Sequence, residues 1–201
     1  PDLGLVSAMT EAVLPVGTAV VATDPTTRPE AQVEAEARAV AHSVPARQIE
    51  FLAGRAAARS AMVALGLAPH PVPMGEDRAP IWPQGVIGSI THTEWACVAA
   101  VSHARDWAGI GIDLETADPL PAELIADITT PVERSWLTTQ PENERGLMAR
   151  LMFSAKEAAY KAQYPVSRMR FGFPTFELRI NRAASQFDAV FQSDQPPFRA
   201  G

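Results

Sequence analysis

The chain has 201 residues, 47% of them hydrophobic, with a formal net charge of −6 and a pI near 5.2, a size that suits one large domain or two small ones sharing a core. Residues 1–105 carry seven basic and ten acidic side chains and residues 106–201 carry ten and thirteen, so each half stands at −3 and nucleic acid is a poor partner. No run approaches the roughly 20 apolar residues of a membrane span, and one cysteine, Cys97, excludes an internal disulfide framework and points to a reducing, cytoplasmic setting.

After a polar start, residues 17–23 (GTAVVAT) read as a short strand, Asp24-Pro25-Thr26-Thr27 as a turn, and residues 29–42 as an alanine- and glutamate-rich helix. Ser43 and Pro45 signal a helix start. Residues 46–65 have helical periodicity through Ile49, Phe51, Leu52, Ala56, Met62 and Leu65, and Gly66 caps them. Five prolines make residues 69–85 a loop. Strands are predicted over 86–90 and 95–102, joined by a turn at 91–94, and a third over 108–115 (AGIGIDLE), which Pro119 and Pro121 end. Residues 131–163 are mostly helical, with Pro165 as the stop. Strands over 175–180 and 187–192 close the chain. Each half thus offers one long helix and a few strands. The expected fold is α+β, with two similar halves, 1–105 and 106–201, joined near residues 103–108.

Four groups of residues carry chemistry. In a strand, Asp113 and Glu115 point to one side while Ile110, Ile112 and Leu114 face the core. Two adjacent carboxylates repel unless a cation sits between them, and Mg²⁺ takes one or two carboxylates together with phosphate oxygens and water. A solvated strand end accounts for this pair equally well, and from the pair alone it is the preferred reading. The second group is residues 153–161 (FSAKEAAYK). It holds Lys156 and Lys161, the chain's two lysines against 15 arginines. Glu157 and Lys161 share a helix face, and Lys156 lies nearly a quarter turn aside. A capping box, Ser154-x-x-Glu157, and an ordinary i,i+4 ion pair compete with a functional reading. The third is Ser89-Ile90-Thr91-His92 at a strand end, where a lone histidine is more often a surface residue. The fourth is the helix bearing Arg47, Arg55 and Arg59; Arg55 and Arg59 share a face, with Arg47 within about 80° of it. Such arginines form either a solvated face or a phosphate clamp.

Taken in this order, the stretches resemble the 4′-phosphopantetheinyl transferase superfamily, in its enterobactin-synthetase component D branch. The family signature is an (I/V)G(I/V)D-x-E segment followed by (W/F)-(S/C)-x-K-E-(A/S)-x-x-K, matched here at residues 110–115 and 153–161. The arginine helix at 51–59, Pro80-Ile81-Trp82-Pro83 and residues 88–92 (GSITH) match the branch, so that the likeness covers roughly residues 45–173. The resemblance implies two α/β halves related by a pseudo-twofold, a monomer, and coenzyme A as substrate. It implies a Mg²⁺ site at Asp113, Glu115 and Glu157, with Mn²⁺ as the alternative ion. Lys161 and Lys156 would serve the pyrophosphate, with Glu157 and Lys161 catalytic. Arg47, Arg55, Arg59, Ser89, Thr91 and His92 would hold the 3′-phosphate and adenosine end. The implied partner is an apo carrier protein whose serine accepts phosphopantetheine, in siderophore, nonribosomal-peptide or polyketide synthesis. Some relatives have a basic residue where Met74 stands; Arg78 is the nearest substitute. The competing readings are a metal-dependent phosphodiester hydrolase and an inactive coenzyme A- or carrier-binding module.

Overall fold

Small and β-branched side chains at 19–23, 86–92 and 97–103 suit a sheet packed closely on both faces. In the computed structural model, which describes residues 2–31 and 33–201, they pair antiparallel. Strands β1 (Ala19–Thr23), β2 (Val86–His92) and β3 (Cys97–His103) lie in the order β1-β3-β2, with Ala19 opposite Val101 and Ser89 opposite Ala100. Strand β3 is central and its residues alternate between two cores. Ala99 and Val101 meet Ala57, Ala58, Ala61 and Met62 of helix α3, while Val98 and Ala100 meet Val20, Ile110 and Ile112. Helix α3 (Pro45–Ala64) begins with a proline at its first position and comes close to the sheet through small residues. A Cβ on Gly54 would lie 3.1 Å from Ile90 Cγ2.

The polar start is in fact a helix, α1 (Leu3–Ala12), capped by the Asp2 carboxylate, which accepts the Leu5 N–H at 3.0 Å. Leu3 and Val6 pack against the second of those cores. The helix expected over 29–42 is only a short one, α2 (Glu34–Ala37), followed by a 3₁₀ turn (Arg38–Val40); Gln32 lies outside the described residues. Tertiary anchors override the helical propensity there: the Glu36 side chain is drawn into the interior, and Val40 packs with Phe51 and Leu52. Strand β2 runs on through Thr91 and His92, which had been expected in a turn.

The third strand expected in this half does not form. Residues 108–115 join no ladder. The Ile112 N–H donates instead to Ser89 Oγ at 3.1 Å and the Leu114 N–H to Thr91 Oγ1 at 3.2 Å. Because Ile110 and Ile112 are buried in the β3 core, the first compact unit runs to Leu114 and the second from Glu115 to Gly201.

The second unit comprises α4 (Ala122–Ile128), α5 (Pro131–Thr139), α6 (Glu142–Ser167), a 3₁₀ turn (Phe173–Thr175) and the antiparallel pair β4 (Phe176–Asn181) and β5 (Gln186–Phe191). Its core gathers Leu120, Ile128, Leu137, Met152, Ala155 and Leu178. The helical stretch expected from 131 divides at Gln140 and Pro141, the last cap of α5 and the first of α6. Pro165 does not stop α6; it sits in the last turn, and Arg168 closes the helix in the left-handed region at φ 57°. A proline near a helix end removes one backbone bond without breaking the long run before it. The fold is α+β, and no helix among the described residues is long and apolar enough to cross a membrane.

Candidate active site

In the first unit, the start of α3 and the end of β2 bring Arg47 and His92 together. His92 Nε2 lies 3.1 Å from Arg47 NH1 and 3.1 Å from Glu50 Oε1, and Arg47 pairs with Glu50. Further along α3, Arg55 is buried with its guanidinium 4.2 Å from the Phe51 ring centroid. Its Nε has no hydrogen-bond partner among the described residues. Burial draws its pKa down to about 10, opposed by the Glu36 carboxylate and aided by Arg47. A buried cation with an unmet donor is costly, so this end of α3 is suited to an anion.

Arg59, expected on the same ligand, has other work. Its guanidinium is buried against the Glu36 carboxylate and also donates to the Ala31 carbonyl at 3.1 Å. Glu36 accepts the Val72 N–H at 2.9 Å, so the pair ties both α2 and the proline-rich loop to α3. In that loop Met74 packs against Phe51 and Leu52 in an apolar contact, and Arg78 sits in a tight turn at φ 68°.

Ser89 and Thr91, also expected at the ligand, have buried hydroxyls directed at the 112–114 segment. Thr91 accepts from Leu114 N–H and donates to Asp113 Oδ1 at 3.1 Å. One hydroxyl therefore orients the half-buried carboxylate that was read as a metal ligand.

In the second unit, Glu115 accepts a hydrogen bond from Arg150 NH1 at 2.9 Å, and Arg150 Nε reaches the Asp118 carbonyl at 3.2 Å. Helix α6 carries Glu157 into the wall of a pocket of about 140 Å³ shared with Tyr160, Phe171, Phe173 and Phe176. The aromatic walls pack edge to face, with Phe171 5.5 Å from Tyr160 and 5.1 Å from Phe176 between ring centroids. Lys161 is one turn beyond Glu157 and shares its helix face. Ser154 lies in the middle of α6, so the capping-box reading of Ser154 and Glu157 does not hold.

Lys156 departs from expectation. Its ammonium is fully buried and donates to Glu133 Oε2 at 2.7 Å and to the carbonyls of Ile128, Phe176 and Phe173 at 2.8, 3.0 and 3.2 Å. Burial lowers its pKa, against the raising effect of Glu133. Glu133 itself escaped the sequence reading. Its one signal was Thr130-x-x-Glu133, which forms the capping box at the start of α5.

Among the described residues no three His, Cys, Asp or Glu side chains gather as a metal site. The carboxylates of Asp113, Glu115 and Glu157 are nevertheless the donor type for Mg²⁺, which needs only one or two of them when phosphate and water complete its shell.

Comparison with known proteins matches two family descriptions, the 4′-phosphopantetheinyl transferase N-terminal domain over residues 35–102 and the 4′-phosphopantetheinyl transferase superfamily over residues 109–199. The chain is 42% identical over 155 residues to the 4′-phosphopantetheinyl transferase Svp of Streptomyces mobaraensis, covering 77% of this chain and 63% of that protein. It is 40% identical over 155 residues to the 4′-phosphopantetheinyl transferase Npt of Nocardia iowensis, covering 75% and 69%. It is 38% identical over 122 residues to enterobactin synthase component D of Salmonella typhimurium, covering 58% and 48%. The chain therefore spans between about half and two thirds of the length of these relatives.

Proposed function

The chain belongs to the 4′-phosphopantetheinyl transferase superfamily, and from that premise we propose that it moves the 4′-phosphopantetheine arm of coenzyme A onto a serine of an apo carrier protein. The observation that carries this reading is α6. One helix carries Glu157 in the wall of an aromatic-lined pocket and Lys161 one turn further on.

The accepting serine hydroxyl attacks the phosphorus that carries the pantetheine. A new serine Oγ–P bond forms, the bridging P–O bond of the pyrophosphate breaks, and 3′,5′-ADP leaves with the electron pair. Glu157 takes the hydroxyl proton, directly or through a water. Lys161 stabilises negative charge on the phosphoryl oxygens in the transition state. Arg47, Arg55 and His92 take the 3′-phosphate, a role supported by the proximity of Arg47 to His92 and by the unmet donor of Arg55. Asp113, Glu115 and Glu157 would hold Mg²⁺, which when bound neutralises phosphate charge and favours the leaving group. The structure supports narrower roles for four residues of the expected ligand shell: Ser89 and Thr91 hold the Asp113 segment, while Arg59 and Lys156 hold their units together. Action as a cytoplasmic monomer on carriers of siderophore, nonribosomal-peptide or polyketide synthesis completes the proposal.

The test is intact-mass analysis of a panel of apo carrier proteins incubated with the protein, coenzyme A and Mg²⁺. A gain of one phosphopantetheine on any carrier is expected. Release of free phosphopantetheine without any carrier would instead identify a hydrolase, and coenzyme A binding with no carrier modified would identify a binding module.

A further inference from the structure

We propose that Glu133 is a positioning residue for this site, acting through Lys156. The inference rests on the transferase reading above. Glu133 is buried and receives three donors: the Thr130 N–H at 2.6 Å and Lys156 Nζ at 2.7 Å on Oε2, and the Leu178 N–H at 2.7 Å on Oε1. Lys156 in turn donates to the carbonyls of Ile128, Phe173 and Phe176. One ion pair thereby joins the end of α4, the start of α5, the middle of α6, the 3₁₀ turn and β4.

Two consequences bear on the chemistry. Successive residues of a helix are about 100° apart, so anchoring Lys156, which itself lines the pocket, fixes the rotation of α6 and with it the place of Glu157 on the pocket wall and of Lys161, about 40° round the helix from Glu157. Phe173 and Phe176, whose carbonyls the same ammonium holds, also line that pocket. The pair thus sets the distance between the helix that carries the reacting groups and these two residues of the pocket.

The test separates positioning from stability. A buried ion pair replaced by neutral groups of similar volume keeps most of its stability, whereas removing one partner leaves an uncompensated charge. The double variant Glu133→Gln/Lys156→Met should therefore unfold close to the wild-type midpoint. Its kcat should nonetheless fall by about tenfold or more, with KM for coenzyme A changed by less than about threefold, since a misplacement on the order of 1 Å is costly to the chemical step. Hydrogen exchange read by mass spectrometry should accelerate at one or both of the Thr130 and Leu178 amides, since the substituted amide keeps one acceptor oxygen for the two, and leave residues 45–64 of the other unit unchanged. Wild-type kcat in the folded double variant, or unchanged exchange at those two amides, overturns the proposal. If the double variant does not fold, Glu133→Asp serves. It keeps the charge but withdraws the carboxylate by one methylene, and an aspartate variant with wild-type kcat and exchange is equally fatal. Should the wild-type protein transfer nothing to any carrier, the transferase reading fails, and the exchange measurement still decides whether the strut exists.

Discussion

Arg59 offers the sharpest separation between a residue that holds ligand and one that holds the fold. Arg59→Met removes the guanidinium that pairs with Glu36, whose side chain is 0% exposed, and leaves its carboxylate with the Val72 N–H and the charge of Arg55. Removing one partner of a buried pair costs about 3–5 kcal/mol. In a domain of this size, that is a loss of about 10 °C or more in the unfolding midpoint. Glu36→Gln/Arg59→Met should recover most of the loss, because an amide oxygen still accepts the Val72 N–H and the buried carboxylate is neutralised together with its partner, leaving only Arg55 with a weaker counter-charge. Thermal and urea unfolding measure the stability arm. Steady-state kcat/KM for coenzyme A and for dephospho-coenzyme A measures the ligand arm. The double variant is expected to keep the wild-type preference between the two substrates. An Arg59→Met protein as stable as wild type, with its preference for the 3′-phosphate lost, would refute this account and return Arg59 to the ligand shell.

The other predictions concern the residues proposed to meet the ligand and the metal, and the buried Cys97. Asp113→Asn and Glu115→Gln should abolish transfer with little change in the unfolding midpoint, and normal turnover of both at saturating Mg²⁺ would remove them from the metal site. Lys161→Ala should lower kcat far more than it weakens coenzyme A binding measured by calorimetry; if Lys161 only pairs with Glu157, activity persists and stability falls by about 0.5 kcal/mol or less. His92→Ala should raise KM for coenzyme A and leave that for dephospho-coenzyme A nearly unchanged, shrinking the discrimination roughly ten- to a hundredfold if a hydrogen bond to a charged group is lost; an unchanged ratio excludes the contact. Cys97, whose thiol burial pushes up to about 12, should resist alkylation of the native protein at pH 8 and react only on unfolding. Since that thiol keeps its proton longer in the folded state than in the unfolded one, its contribution to stability is complete below pH 9 and declines as the pH rises towards 12.

The parts of the fold that were legible in the sequence are those in which one periodicity serves one purpose. Helix α3 and strand β3 alternate small apolar residues at the spacing of their own geometry, and both formed where that spacing placed them. Residues 108–115 show why the same signal can mislead. Their alternation correctly marks Ile110 and Ile112 as buried, yet burial on one side does not require a neighbouring strand. The hydroxyls of Ser89 and Thr91, two residues apart on β2, meet the amides of Ile112 and Leu114, also two residues apart. Side chains have replaced the ladder, and that substitution leaves no periodic trace.

The cations of the site were harder to read, because a charge on a helix does not announce its partner. Arg47, Arg55 and Arg59 have one chemistry in the sequence, and so do Lys156 and Lys161. The structure divides them by carboxylates lying 23 residues upstream: Glu36 for Arg59, and Glu133 for Lys156. Glu36 lay in what read as an alanine- and glutamate-rich helix, and Glu133 in what read as one long helical stretch. Arg59 and Lys156 are thus internal struts, one in each unit, while Arg47, already paired with Glu50, and Arg55 and Lys161 are the cations proposed to meet the ligand. The two sets differ in what they tolerate. A strut cation is exchangeable for an apolar group once its carboxylate is neutralised with it, whereas a ligand cation is not, because its counter-charge arrives with the substrate and cannot be removed from the protein. That asymmetry makes paired neutral replacements, rather than single alanine substitutions, the measurement that sorts the charged residues of this protein into those that hold the fold and those that hold the ligand.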